Sequence, residues 1–386
     1  MTQPAPTHSP VSPEPELAGP KMSWSRMLEI VGPTLALLGI FLFFYVLIGS
    51  SFATFFNLHT ILRQSTVTCM AALGATFIII SAGIDLSVGS AVALCAMVIA
   101  TLLNVGNMDP AFPDDPQHKV LFLTLHPVAW PLFCAAVGVS VGTVCGAFTG
   151  FLVIALRLPP FIITLGSMMI FRGVTEMISV ISVNVKTNWV ERLLAPPDLP
   201  NWVESSPVKI ALQWLYLAPA IWITIALAIV MGILLKYFRF GRYATAIGSN
   251  EQTARLCGIP VDRTKVLIYL VAGFFAGLAG IMQIARQHQG SPAATIGLEL
   301  DVIAACVIGG ASLNGGKGSI LGTLIGALIM TVIANGCSQI PIPHWFPSWI
   351  APQGTGLPSS VQKIVTGMII ITAVALDTIR QRRVRT

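Results

Sequence analysis

The stretch GGASLNGGKGS at residues 309–319 carries the residue types of a phosphate-binding loop: glycines, then a lysine, then a hydroxyl side chain. Such a loop reads G-x-x-x-x-G-K-[ST]; its backbone N–H groups cradle the phosphates, the lysine reaches the outer ones and the hydroxyl holds magnesium. Here Lys317 follows Gly316, so the first glycine should fall at position 311, which is Ala311, and the residue after the lysine is Gly318. Nothing before it reads as the buried strand that should lead into the loop. The spacing predicts a tight turn between two apolar runs, with glycine supplying positive φ, and any use of ATP lies elsewhere.

The other groups with chemical potential are acids beside apolar runs. Asp85 and Ser87 open one run, and Glu299 and Asp301 open another. Two readings stand: a gate or coupling-ion site, or capping of free N–H groups at helix N-termini. With the turn residue Asn314, these four are the candidate path or gate residues. Arg172 and Glu176 lie four apart in one run and are expected to pair. Asp109, Asp114 and Asp115 are interrupted by prolines and have no well-spaced histidine, so they read as a solvated loop. The seven cysteines contain no C-x-x-C pair and lie mostly in apolar runs, where cysteine behaves as a small hydrophobe. Neither a disulfide framework nor a metal site is expected. The runs hold no paired catalytic acids, nucleophile–base set or metal-spaced histidines, which argues against an enzyme.

The elements that must position these groups are membrane helices. The chain has 386 residues, 54% hydrophobic and only 10% charged, against about 25% charged in soluble domains. A helix needs roughly 20 apolar residues to cross a bilayer. Ten runs are read, at about 31–50, 61–82, 86–104, 128–154, 161–182, 216–236, 265–285, 298–312, 318–338 and 361–379. The third and eighth are short, and the fourth, long and glycine-rich, is expected to bend. The fold class expected is an all-α membrane protein of about ten transmembrane helices.

The formal net charge of +6 reads as lysine and arginine kept on the cytoplasmic side. Placing both termini inside puts most of the 22 basic residues there, Lys317 among them. Residues 1–28 form a proline-rich cytoplasmic tail, 29–380 the polytopic domain and 381–386 a basic cytoplasmic tail. The tail has no basic start followed by an apolar core, so it is not read as a cleavable signal. Segments 105–127 and 183–215 become outer loops, with Trp189, Trp202 and Trp214 at the headgroup interface.

The chain also contains a faint copy of itself. GIDLSV at 83–88 matches GLELDV at 297–302, and GTVCGAF at 142–148 matches GTLIGAL at 322–328. The copies lie an odd number of spans apart, so spans 2–5 and 7–10 form an inverted repeat, a common transporter architecture. Gly142, Gly146 and Gly150 fall on one helix face, as do Gly322 and Gly326, and should let neighbouring backbones approach closely.

The inside segment between spans six and seven, 238–264, is long and basic. Ser249 or Asn250 can cap one short helix of about eight residues starting near Glu251; Gly258 ends it and Pro260 prevents its continuation. Such a helix is too short to be stable alone, so it packs on its own spans or docks into a partner.

Three stretches carry a resemblance: SAGIDLSVGS at 81–90, GRYATAIGSNEQTARLCGIPVDRTK at 241–265 and GLELDVIAACVIGGASLNGGKGSILGTLIGALIM at 297–330. Together they resemble the sugar-type permeases of bacterial ABC importers, those for ribose, xylose and galactofuranose, over roughly residues 30–380. The tail, the enlarged loop 105–127 and the segment 340–360 depart from the usual pattern. The resemblance implies a multi-pass inner-membrane subunit that pairs with a second permease copy or a paralogue. An ABC ATPase would bind at a coupling loop comprising Ser249, Asn250, Glu251, Ala254, Arg255, Gly258, Ile259 and Pro260. A periplasmic binding protein would deliver a monosaccharide to the outer face. ATP would act through the partner, and this chain would bind no cofactor itself; its other contacts would be membrane lipid, not nucleic acid. Three rivals compete with this reading: an ABC permease for branched-chain amino acids or nucleosides, an ion-coupled secondary transporter, and a membrane enzyme.

Overall fold

Helix length follows apolar length along most of the chain. The computed structural model describes residues 24–104, 128–185, 189–195, 216–340, 357–358, 361–369 and 371–372. The C-terminal tail and the segments 105–127, 196–215 and 341–356 lie outside these, and with them Trp202, Trp214 and the acids at 109–115. The helices are α1 (Trp24–Ile48), α2 (Phe55–Ile80), α3 (Val88–Asn104), α4 (Ala129–Leu156), α5 (Pro160–Ile178), the short α6 (Trp189–Arg192) and α7 (Pro219–Tyr237). Then come α8 (Arg239–Ser249), α9 (Glu251–Leu256), α10 (Val261–Gln287), α11 (Leu298–Ile308) and α12 (Ile320–Gln339). Residues 361–369 are also helical. Seven of these helices are long and apolar enough to cross a membrane, and α3 is a shorter apolar helix. α1 starts inside the segment read as tail, and α4 is one unbroken helix of 28 residues.

Local chemistry sets several ends. Thr54 accepts a hydrogen bond from Asn57 N–H at 3.3 Å to start α2, and Ser319 accepts from Gly322 N–H at 3.4 Å to start α12. Proline stands at the first position of α5 and α7, where its missing N–H costs nothing.

α2, α10 and α12 form the centre. Their apolar windows are 83%, 72% and 72% buried, against 28% for α4, α5 and α7 and 6% for α1. The peripheral helices turn apolar side chains such as Phe151, Met169 and Ile229 outward. α4 and α10 cross through glycine: a Cβ on Gly142 would meet Gly273 and Gly277, and one on Gly146 would meet Tyr269 and Gly273. Rising numbers on α4 meet falling numbers on α10, so the pair is antiparallel. Thr76 on α2 hydrogen-bonds Thr323 on α12 at 2.9 Å. At the other end of the same pair Gln339 donates to Asn57 at 2.7 Å, so α2 and α12 are antiparallel as well.

These contacts exchange in pairs. α10 packs on α4 and α3 as α2 packs on α12 and α11; α3 packs on α4 as α11 packs on α12; α2 packs on α10. Within each matched pair (α2 with α10, α3 with α11, α4 with α12) the chain runs in opposite senses. That is the inverted repeat expected from the paired motifs. The glycine stripes serve it differently in the two halves: those of α4 face α10, whereas Gly322 and Gly326 of α12 face Gly309 and Ala305 at and before the end of α11.

Three expectations change. The eighth run is a helix of only 11 residues, because Gly309 and Gly310, the latter at φ +93°, end it. The connection after α7 holds two helices, not one. The segment after α5 contributes a strand, β1 (Val183–Asn184), antiparallel to β2 (Gln289–Gly290). Asn104 donates to Asn184 O, so this ribbon ties the two halves at the face opposite the α8–α9 connection. That connection and the 309–319 turn define what is called here the loop face.

Candidate functional site

The loop face is built on a three-way junction. α8 buries Gly241, Ala244, Ile247 and Gly248, one face at helical spacing, and exposes Arg239 and Arg242. Phe240 stacks on Phe77 of α2 with ring centroids 5.1 Å apart. A Cβ on Gly248 would strike the Ile80 carbonyl oxygen and stand 2.6 Å from Gly316 N. Gly316 N–H donates to Ile80 O at 2.8 Å, and Gly315 N–H donates to Ser312 O at 2.9 Å. The glycine turn that resembles a phosphate loop is therefore the seat on which the end of α2 and the end of α8 meet. Two of its N–H groups are already committed to carbonyls. Asn314 lies in this turn, exposed on the loop face, and is not brought beside Asp85 or Glu299.

α9 projects from the junction. Asn250 caps it by accepting from Thr253 N–H at 2.9 Å; Ser249 instead ends α8, its hydroxyl donating to Thr245 O. The helix has six residues, fewer than the eight expected, because Cys257 and Gly258 already turn the chain. Gly258 sits at φ +78°, and Ile259 N–H returns to Ala254 O at 3.1 Å. Pro260 does more than stop a helix: it stands at the N-cap of α10, which begins four residues earlier than the apolar run. Ala254 is the buried contact, packing with Ile247 and Val261.

Charge braces this element internally. Arg255 pairs with Glu251 at 3.2 Å and Asp262 at 2.5 Å, and Lys265 reaches Glu251 at 2.7 Å. Partial burial would raise the Glu251 carboxyl, but the hydrogen bonds and charges of Lys265 and Arg255 outweigh it and hold it below its ordinary 4.5. Hydrogen bonds to Asp262 and Glu251 raise Arg255 further above its usual range. Glu251 and Arg255, both expected in the partner-binding loop, thus pair across to Lys265 and Asp262 and hold α9 against α10. What α9 offers outward is Leu256, 89% exposed, beside exposed Gln252 and Thr253. Sequence reading passed over Leu256, although a leucine within a polar turn was a visible signal.

A carboxyl held below its unfolded value stabilises the fold at higher pH, and that contribution is lost as pH falls through the folded value. Cys257 is the exposed cysteine, the other six being buried, so it accepts a spin label. We expect the label's mobility to stay constant from neutral pH down to near 5 and to rise below 4.5. Exposed pairs are individually weak and screened by solvent, so the change is partial. A spectrum unaltered at about pH 3.5 would show that the pairs do not hold α9.

The acids open two short helices that meet inside the bundle. Ser87 occupies the N-cap of α3, its carbonyl accepting from Ala91 N–H at 2.9 Å. Asp85 Oδ1 accepts from Ser87 N–H at 2.7 Å and from Ser87 Oγ at 2.6 Å. It positions the cap rather than capping the helix itself. In the other half, Gly290 lies beside Ala96 and Ala100 of α3, and Thr295 Oγ1 donates to Gly89 O at 2.8 Å. Residues 291–297 thus descend along α3 without regular structure. α11 begins where α3 begins, with the Glu299 carboxylate against Gly89. Gly297 N–H donates to Glu299 Oε1 at 3.3 Å, while Oε2 is buried with no partner among the described residues. Asp301 lies within the electrostatic reach of Arg286. Asp85, Ser87 and Glu299 are therefore drawn toward one level of the bundle. Beside Asp85, Ser87, Gly146 and Gly273 the open space is only about 10 Å³, a single-water volume.

Arg172 and Glu176 do not pair among the described residues. Arg172 Nε is buried without a partner, and Glu176 is exposed on the outer face of α5.

Two inverted halves whose short helices α3 and α11 meet at their acidic N-termini form an architecture common to membrane transporters. The chain belongs to the family described as branched-chain amino acid transport system / permease component, which it matches over residues 57–374. It is 34% identical to the ribose import permease protein of Escherichia coli K12 over 86% of this chain and 89% of that one. The L-arabinose transport system permease protein of the same strain is 31% identical over 87% of each chain. Its D-allose transport system permease protein is 34% identical over 84% of each. No solved structure matches the chain. It is a multi-span ABC permease subunit of the inner membrane, a transporter component and not an enzyme, and its family implies an ATPase and a substrate-binding protein as partners.

Proposed function

We propose that this chain is the permease subunit of an ATP-driven importer that carries a monosaccharide inward, with the loop face and both termini on the cytoplasmic side. The observation that carries the reading is α9, braced by ion pairs and seated on a glycine junction, with one large apolar side chain left outside. An ATPase docks there with Leu256 as anchor, and Glu251, Arg255, Gly258 and Pro260 hold the anchor in place. Movement of α9 passes through Gly248 and Gly316 to the end of α2, and thence to Asp85 and the start of α3. ATP is bound by the partner; this chain binds no cofactor. The binding protein delivers the sugar at the opposite face. Lys236, Arg239 and Arg242 lie beside exposed Tyr237 and Phe238, a pattern suited to anionic lipid headgroups.

A second copy, or a paralogue, covers α5. This helix exposes Phe161, Ile162, Met169, Ile170 and Met177, yet also carries Glu176 outward and an Arg172 whose buried Nε has no partner among the described residues. Charges within a membrane helix face protein or water, not lipid. Across a two-fold axis Arg172 of each copy can meet Glu176 of the other.

The relatives named for ribose, arabinose and allose support a sugar, while the family description keeps branched-chain amino acids as a second reading. The test is reconstitution with the ATPase and binding protein, following labelled D-ribose, L-arabinose, D-allose and L-leucine. ATP-dependent accumulation of a sugar is expected, abolished by Glu176→Arg and restored in part by adding Arg172→Glu. Uptake of leucine alone would favour the second reading. Accumulation by the permease alone on a proton or sodium gradient would overturn both.

A further inference from the structure

We propose that anionic phospholipid headgroups hold the corner between α7 and α8, and that this anchorage lets the loop helix drive the bundle. The proposal rests on the reading of the loop face as cytoplasmic and of α9 as the element an ATPase moves.

The corner is where a lipid-facing helix ends. α7 has 19 residues, about 28 Å of helix, close to the roughly 30 Å hydrocarbon thickness. Trp222, Ile225, Ile229 and Ile233 are exposed and follow one another at steps of three and four, so they form one stripe along the helix. Lys236 continues that stripe and is exposed. Its ammonium lies 5.2 Å from the centre of the Tyr237 ring. Tyr237 and Phe238, 63% and 54% exposed, follow at the turn. Exposed rings beside a charge at the end of a lipid-facing helix belong at headgroup depth. α8 then carries Arg239 and Arg242, three apart and both exposed. The corner is tightly built: a Cβ on Gly241 would strike the Leu235 backbone, and Phe240 stacks on Phe77 of α2.

Charge selects what covers this corner. From Arg239 to Lys265 the acids are Glu251 and Asp262, and both are taken by Arg255 or Lys265. Lys236, Arg239 and Arg242 have no acidic partner among the described residues. A free phosphate would leave the rings of Tyr237 and Phe238 in water. A headgroup brings acyl chains for the rings and net negative charge for the cations. Lys236 stands on the lipid-facing stripe, which turns the cluster toward the bilayer and not toward a protein seated on α9. Each basic residue near an anionic surface strengthens attachment about fivefold.

The attachment has a mechanical use. α8 leaves the corner at Arg239 and reaches the Ile80 carbonyl of α2 at Gly248. With its first turn held in the headgroups, a push on α9 is delivered to α2. With that turn free, α8 tips and the push is lost.

The test reconstitutes the permease and its ATPase in phosphatidylcholine vesicles holding no phosphatidylglycerol, about 10% or about 30% of it. ATP is enclosed, the binding protein is outside, and labelled D-ribose, L-arabinose and D-allose are followed. In the wild type, sugar carried per ATP hydrolysed is expected to rise at least about threefold across the series. The triple variant Lys236→Gln, Arg239→Gln, Arg242→Gln should stay flat, whereas Arg263→Gln, an exposed charge in the first turn of α10, should respond as the wild type does. Spin-labelled phosphatidylglycerol reads the contact without transport. In vesicles with permease and ATPase, its immobilised fraction should exceed that of spin-labelled phosphatidylcholine. That excess should fall at least about threefold in the triple variant, and in the wild type as salt rises from about 0.05 to about 0.5 M. An excess unchanged in the triple variant would overturn the proposal, and so would wild-type coupling that ignores the lipid. Weaker ATPase binding by the triple variant in pure phosphatidylcholine would give the cluster to the ATPase and overturn it as well. Absence of uptake at every composition, with the lipid excess present and lost in the triple variant, would support the contact and count against the transport reading.

Discussion

Leu256→Asp is expected to abolish ATP-driven uptake while leaving the melting temperature of the isolated permease unchanged. The side chain is 89% exposed, and exposed substitutions away from special features alter stability by no more than about 0.5 kcal/mol. At an interface the same side chain counts differently. Central anchors cost about 2 kcal/mol or more when lost, roughly a 30-fold loss in affinity, and an aspartate adds the desolvation of a charge. The measurement is affinity for the ATPase subunit beside uptake. Affinity within threefold of wild type would remove Leu256 from the interface. Leu256→Met, similar in volume and equally apolar, should bind as wild type.

Gly248→Ala is expected to break coupling and not docking. The added methyl meets backbone on two sides, the Ile80 carbonyl oxygen and the Gly316 nitrogen, so no side-chain rotation relieves it. Overpacking of this kind costs about 1–3 kcal/mol and is relieved only by opening the junction between α2, α8 and the glycine turn. Leu256 still projects, so ATPase affinity should stay within about threefold. Sugar carried per ATP hydrolysed should fall at least tenfold, because motion of α9 no longer reaches the end of α2. Gly258→Ala makes the contrast. Gly258 has φ +78° but nothing within 4 Å of an added Cβ, so its cost is the left-handed backbone alone, about 1–2 kcal/mol, and its effect on coupling should be the smaller. If Gly258→Ala uncouples and Gly248→Ala does not, force does not pass through the junction.

The sequence made some of this legible and hid the rest for identifiable reasons. Hydropathy located the membrane helices because crossing lipid needs a long apolar run. Asn250 and Gly258 marked the loop helix because caps and positive φ are local requirements. α8 escaped notice because it is short and polar overall, so hydropathy passes over it although Phe240, Ala244 and Ile247 stand at helical spacing. The brief length of α11 was masked by residues 309–312, which continue the apolar composition while their glycines end the helix. Partners far apart in the chain gave no local signal: Gly248 with Gly316, Glu251 with Lys265, Glu299 with Gly89. The expectation that Arg172 and Glu176 pair came from helical spacing alone. Spacing does not say that Arg172 turns partly inward while Glu176 turns out.

The meeting of α3 and α11 also constrains how the chain enters the membrane during synthesis. α11 has 11 residues, about 16 Å of helix, half the roughly 30 Å hydrocarbon thickness. The irregular segment leading into it would expose unsatisfied backbone groups to lipid. It cannot insert as an independent span. It becomes stable only where α3 already offers Gly89 O to Thr295 and α12 presents Gly322 to Gly309. The first half of the protein is thus a mould for the second. A chain cut after α11 should leave that segment outside the bilayer, whereas one cut after α12 should hold it within.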